Sequence, residues 1–170
     1  MFERFTDQAR RVFVLAQEQT ERLDIVQAGD DLLLFGLIGQ PETVAGRALL
    51  DAGVTGDRLR ERIVSPFNTG RHKHYRAGHV PFTPMARKVL EGALRESVRA
   101  EAPEVSAEHV LVALIGLDGP GARVLRQLEV DVDELRNRIT GAVTSEPVEQ
   151  TQATPWSTPK ADVSAELTTC

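Results

Sequence analysis

The chain repeats itself. Phe5-Thr6-Asp7-Gln8-Ala9-Arg10-Arg11-Val12 returns as Phe82-Thr83-Pro84-Met85-Ala86-Arg87-Lys88-Val89, 77 positions later. The same shift carries Asp31-Leu32-Leu33-Leu34-Phe35-Gly36-Leu37-Ile38 onto Glu108-His109-Val110-Leu111-Val112-Ala113-Leu114-Ile115. One residue is then lost in a loop. The match continues at a shift of 76, with Ala48-Leu49 on Val124-Leu125 and Leu59 to Ile63 on Leu135 to Ile139. Each copy, about sixty residues long, is one supersecondary unit, and two copies stack or pair to bury a common core. The duplication predicts two related surface sites and a pseudo-two-fold arrangement.

Within each copy the punctuation is helical. Thr6 and Thr83 are N-caps, Asp7 suits the positive end of the helix dipole, and Pro84 occupies a first helical position where its missing N–H costs nothing. Ala9, Val12, Phe13 and Ala16 recur at helical spacing, as do Val89, Leu90, Ala93 and Leu94, so each copy opens with an amphipathic helix, the first running to about Leu23. The apolar runs Leu32 to Ile38 and Val110 to Leu117 are short enough to be buried strands. Their acidic or Ser starts, and the absence of β-branched enrichment in the first run, favour central helices. A third helix covers about Val44 to Ala52 before Gly53, and a short fourth follows Thr55. The fourth helix of the second copy begins at Asp131 with Glu134 in capping-box register. The expectation is an all-α fold of eight helices with almost no sheet: repeat one at 1–63, a linker at 64–81, repeat two at 82–142 and a disordered tail at 143–170.

The totals fit one domain plus a tail. A net charge of −5 disfavours a general nucleic-acid binder. The single cysteine, Cys170, allows no internal disulfide, which suits a reducing, cytoplasmic setting. No apolar run approaches a membrane span, and the start lacks a signal-peptide pattern. No P-loop, nucleophile elbow, H-E-x-x-H or cysteine cluster is present. The expectation is therefore no enzyme and no cofactor, metal, nucleic-acid or membrane partner.

Met1-Phe2-Glu3-Arg4-Phe5-Thr6, Ala9-Arg10-Arg11-Val12 and Val14-Leu15-Ala16-Gln17-Glu18 resemble the N-terminal domain of ClpC-type Clp AAA+ unfoldases. So do Gly78-His79-Val80-Pro81-Phe82-Thr83-Pro84 and Ala86-Arg87-Lys88-Val89-Leu90-Glu91. The resemblance spans about residues 1–140. It implies two four-helix repeats forming a non-catalytic module that receives substrates and adaptor proteins, here without the ATPase rings. Such a module would act as a modulator, adaptor or ligand-sequestering decoy in Clp-dependent proteolysis.

The resemblance also implies two kinds of site. One reads phosphoarginine, once per repeat, through an acid just inside the second helix; the matching residues are Asp31 and Glu108. A carboxylate there pairs with the guanidinium while helix N-terminal amides hold the phosphate. Asp30 puts an extra negative charge where the phosphate would sit, and Ala107 removes a hydroxyl. Both acids serve equally as complements to a helix dipole. The other is an apolar groove formed by Phe2 and Phe82 near the pseudo-two-fold axis, with Arg10, Phe13, Arg87 and Glu91 around it. It would take adaptors, other protein or peptide ligands, or cyclic-peptide natural products. Phe13, bulkier than the Val common there, would fill or reshape it. Phe5 and Phe82 also have stapling roles onto their helices, whereas Phe2 has none from its position.

The linker carries Arg71-His72-Lys73-His74-Tyr75-Arg76 and His79. It reads as a solvated basic loop able to contact an acidic partner rather than as a metal site. Trp156 sits among Thr and Pro as a candidate docking motif. A structural or regulatory protein that docks through this linker and tail is the alternative function.

Overall fold

The computed structural model describes residues 2–63 and 80–145. The basic linker cluster, His79, Trp156 and Cys170 lie outside the described residues. Among those described there are eight helices. Repeat one holds α1 (Asp7–Arg22), α2 (Asp30–Ile38), α3 (Val44–Asp51) and α4 (Gly56–Ile63); repeat two holds α5 (Pro84–Arg99), α6 (Ala107–Gly116), α7 (Pro120–Gln127) and α8 (Val132–Ser145). The all-α expectation and its tandem four-helix repeats hold.

The caps explain the starts. Thr6 Oγ1 accepts from the Ala9 amide at 3.2 Å and Thr83 Oγ1 from the Ala86 amide at 3.1 Å, each satisfying an otherwise orphaned donor. At α8 the Asp131 carboxylate accepts from the Asp133 and Glu134 amides. Gly53 ends α3 with φ 81°, as expected of a left-handed cap. Asp24, Glu101 and Glu129 take the same conformation after α1, α5 and α7, although none is a glycine.

The two apolar runs are the central helices. Residues 32–37 of α2 and 109–115 of α6 are buried all round, which is why their sequences show no amphipathic stripe. Helix α1 packs on α2, and α5 on α6. The cross-repeat contacts come in two-fold pairs: α1 on α6 with α5 on α2, α2 on α7 with α6 on α3, and α3 on α8 with α7 on α4. One core runs through both repeats.

The seam is also symmetric in its backbone. Phe5 forms an isolated parallel bridge to Val105, and Ala28 forms one to Phe82. The 77-residue shift maps the first pair onto the second. Each bridge joins the segment before the first helix of one repeat to the segment before the second helix of the other. Thr6 donates to Val105 at 3.0 Å and Thr83 to Ala28 at 2.9 Å. These bonds set the starts of α1 and α6, and of α5 and α2, side by side.

Candidate functional site

Those seams create two clefts. Cleft one, about 680 Å³, is lined from α2 by Asp30, Asp31 and Leu32, from α5 by Met85 and Lys88, from the α7 start by Pro120, and by Ile25 to Gln27. Cleft two, about 550 Å³, is lined from α6 by Ala107, Glu108 and His109, from α1 by Gln8, from the α3 start by Val44, and by Ala102 to Glu104. Most of the lining corresponds under the internal shift, Ile25 to Gln27 with Ala102 to Glu104, Asp30 to Leu32 with Ala107 to His109, Met85 with Gln8 and Pro120 with Val44, whereas Lys88 has no counterpart in cleft two. At each cleft three helix N-termini converge, and their amides and dipoles favour negative charge.

Of the two acids expected at the clefts, Glu108 is engaged across the repeat boundary and Asp31 is not. Glu108 Oε1 accepts from the Ala45 amide at the start of α3, at 3.2 Å. At cleft one the equivalent task falls to Asp30 rather than Asp31: Asp30 Oδ2 accepts from the Gly121 amide at the start of α7, at 2.8 Å. Gly121 is the repeat equivalent of Ala45. Asp31 instead turns back and accepts from the Leu32 amide at 3.0 Å. A side chain at residue 29, where repeat two has Ser106, would make that carboxylate swing away.

Burial governs the titration here. Desolvation raises the Asp30 carboxyl above the usual carboxylate range, against the bond from Gly121 and the charge of Arg123. Asp31 is pushed up to about 6, first by burial and then by the charge of Asp30. His109, next to Glu108, is 4% exposed. Its Nδ1 accepts from the Ser106 amide at 3.0 Å, an unforeseen capping box in which histidine takes the place usual for Glu or Gln. Desolvation lowers its pKa, opposed by the charges of Glu108 and Glu96.

The aromatic residues form a chain at the seam. Phe13 stands edge-to-face with Phe2 at 5.5 Å and with Phe82 at 5.7 Å between ring centroids, and Phe2 meets Phe5 at 5.4 Å. Phe2 and Phe82 are half-buried. Phe13 is 3% exposed, so it fills the space between them as a floor and is not an open wall. Phe2 thus packs locally on Phe5 and Phe13. Its carbonyl also accepts from the Phe5 amide at 3.1 Å, which folds the arm back over Phe13. Arg10, Arg87 and Glu91 are exposed on α1 and α5, and Arg10 pairs with Asp7 at 2.6 Å. None of Phe2, Phe13 and Phe82 lines cleft one or cleft two. Among the described residues no helix is long and apolar enough to cross a membrane, and no group of His, Cys, Asp and Glu is placed to hold a metal ion.

The comparisons agree with the duplicated architecture. The Clp repeat (R) N-terminal domain family matches residues 4–127 and again 82–168. A ClpA homolog, the ATP-binding subunit of an ATP-dependent Clp protease from Cyanidium caldarium, is 40% identical over 143 residues. That alignment covers 82% of this chain but 16% of the relative, so the chain spans about a sixth of its length. The crystal structure of the ClpD N-terminal domain from Arabidopsis thaliana superposes with a TM-score of 0.72 at 27% identity, covering 84% of this chain and 96% of that one. The Hsp104 N-terminal domain from Candida albicans shares the fold, with a TM-score of 0.66 at 19% identity over 85% of this chain and 94% of that one. The chain belongs to the Clp repeat N-terminal domain family.

Proposed function

We propose that this chain is a non-catalytic receptor module that binds protein or peptide ligands at the seam between its repeats, and so acts as an adaptor, modulator or ligand-sequestering decoy in Clp-dependent proteolysis. The observation that carries this reading is the aromatic chain Phe2–Phe13–Phe82. Its outer rings, Phe2 and Phe82, are half-buried, and Arg10, Arg87 and Glu91 are exposed on α1 and α5. Aromatic and arginine side chains are enriched among binding hot spots. Clp adaptors, unfolded substrates or cyclic peptides with aromatic side chains are the ligands such a surface fits. The single cysteine suits a cytoplasmic setting.

The clefts supply the second contact. Cleft two receives an arginine side chain. Glu108, with Glu42 and Glu104 also lining the cleft, faces the guanidinium, and the convergent helix starts accommodate a phosphoryl group on it.

Fluorescence anisotropy with an unstructured polypeptide and its arginine-phosphorylated form tests both contacts. Phe2→Ala should weaken both ligands. Glu108→Gln, which keeps an acceptor for the Ala45 amide, should weaken the phosphorylated form more. Binding indifferent to both changes overturns the reading. Deleting residues beyond 143 separates it from docking through the tail, because seam binding should survive the deletion.

A further inference from the structure

Cleft one differs from its repeat partner in a coordinated way. Repeat two has Ala107 at the position of Asp30, and facing it repeat one has Thr43 and Ala45. Facing Asp30, repeat two instead has Gly119 and Gly121. A Cβ on Gly119 would lie 2.6 Å from Asp30 Oδ2, and one on Gly121 would lie 3.0 Å from the Asp30 carbonyl oxygen and 3.1 Å from Oδ2. A side chain at 119 would meet the Asp30 carboxylate and Met85, and one at 121 would meet both the backbone and the carboxylate of Asp30.

The hydrogen bonds explain the exchange. Helix α3 is capped from within, because Thr43 Oγ1 accepts from the Gly46 amide at 3.0 Å. The N-cap of α7 is Gly119, which has no side chain to do this. Asp30 is 1% exposed, and from the other repeat it accepts from the Gly121 amide at 2.8 Å. An anion is therefore already bound at the start of α7, and it belongs to the chain.

We propose that Asp30 is a specificity-determining residue: its carboxylate is a built-in anion at the start of α7 that excludes phosphate- and carboxylate-bearing side chains from cleft one. This rests on the reading that the clefts receive ligand side chains. A second anion would displace a buried, hydrogen-bonded carboxylate or sit beside it, and like charges a few ångströms apart in a partly desolvated site repel strongly. Lys88 lines the same cleft and the charge of Arg123 also reaches Asp30, so the exclusion rests on Asp30 already occupying the Gly121 amide and not on a count of charges. The consequence is a receptor with two related clefts of unequal charge preference.

The test uses inorganic phosphate on the full chain, followed by backbone amide NMR at ionic strength matched with sodium chloride. In the wild type the Gly121 resonance should not move. In Asp30→Ala, and in Asp30→Ser should the alanine variant fail to fold, phosphate should shift Gly121 saturably. Two results would overturn the proposal: a Gly121 shift in the wild type equal to that in the variants, or no shift in a folded variant. Neither depends on the identity of the protein ligand, so the receptor reading stands or falls separately, on the Phe2→Ala and Glu108→Gln anisotropy.

Discussion

Asp30 at the start of α2 holds the amide of Gly121 at the start of α7, across the repeat boundary. Glu108 at the start of α6 holds Ala45 at the start of α3. Each central helix thus lends a carboxylate to a short helix of the other repeat. The two bonds are not strict symmetry mates, because Asp30 stands one residue before the equivalent of Glu108. The requirement survived duplication while the residue that meets it moved. What is kept is an acceptor for an amide that the fold would otherwise bury unpaired.

Removing the Asp30 carboxylate should therefore destabilise the whole domain. In Asp30→Ala the Gly121 amide loses its partner, and an unsatisfied buried donor costs about 1–3 kcal/mol. Asp30→Asn keeps an acceptor and should lose less. Urea unfolding of the three proteins checks the order: wild type, then Asn, then Ala.

Asp31 should make stability fall as pH rises through the mildly acidic range. Its folded pKa is raised from 3.8 to about 6. A raised carboxyl prefers its proton in the fold, so the destabilisation is absent below the unfolded value, grows up to about pH 6 and is constant above. Asp31→Asn should be more stable than wild type at pH 7 and close to it at pH 4. Melting temperatures at the two values measure the difference. In Asp30→Asn the Asp31 carboxyl, followed by carbon NMR, should titrate lower than in the wild type, yet above the ordinary range because burial remains.

The helices were legible because their signals are local. Thr6, Thr83 and Asp131 announced starts, and the repeated apolar runs announced central helices. The cross-repeat bonds were not legible, because Asp30 and Gly121 lie in different copies and neither motif refers to the other. The exchange of Gly119 and Gly121 for Thr43 and Ala45 is visible in the aligned repeats, but only the facing carboxylate gives it meaning. The left-handed ends at Asp24, Glu101 and Glu129 carry no glycine and so gave no signal; local backbone bonds from Ile25 to Thr20, Ala102 to Ser97 and Val130 to Leu125 hold them against a steric cost. Phe2 showed no partner in sequence, because its contact with Phe13 depends on the arm folding back.

His109 should give the opposite pH response to Asp31. Nδ1 accepts from the Ser106 amide, so protonating that nitrogen breaks the cap at α6. Its folded pKa is lowered, so its contribution is intact above the free imidazole value of about 6.5 and is lost as pH falls below it. His109→Gln, which supplies the usual capping-box acceptor, should lose less stability than wild type between pH 7 and pH 5. Denaturant midpoints at the two pH values measure the loss, and hydrogen exchange at the Ser106 amide locates it.

Gly36 should tolerate no side chain. In α2 it lies against the backbone of α1, where an added Cβ would fall inside contact distance of the Val12 carbonyl. The repeat equivalent is Ala113, and there the small residue has moved to the facing helix. Gly92 of α5 occupies the position of Leu15, and a Cβ on it would meet the Ala113 Cβ at 3.0 Å. A side-chain neighbour can shift by a few tenths of an ångström, whereas a helix backbone held by its own hydrogen bonds cannot. Gly36→Ala must force α1 and α2 apart, so overpacking should cost about 3 kcal/mol or more. Gly92→Ala should cost clearly less, because its clash is softer and alanine favours the helix by about 1 kcal/mol over glycine. Chemical denaturation of the two variants, with matched circular dichroism, distinguishes the two contacts; equal losses would mean that both crossings yield alike.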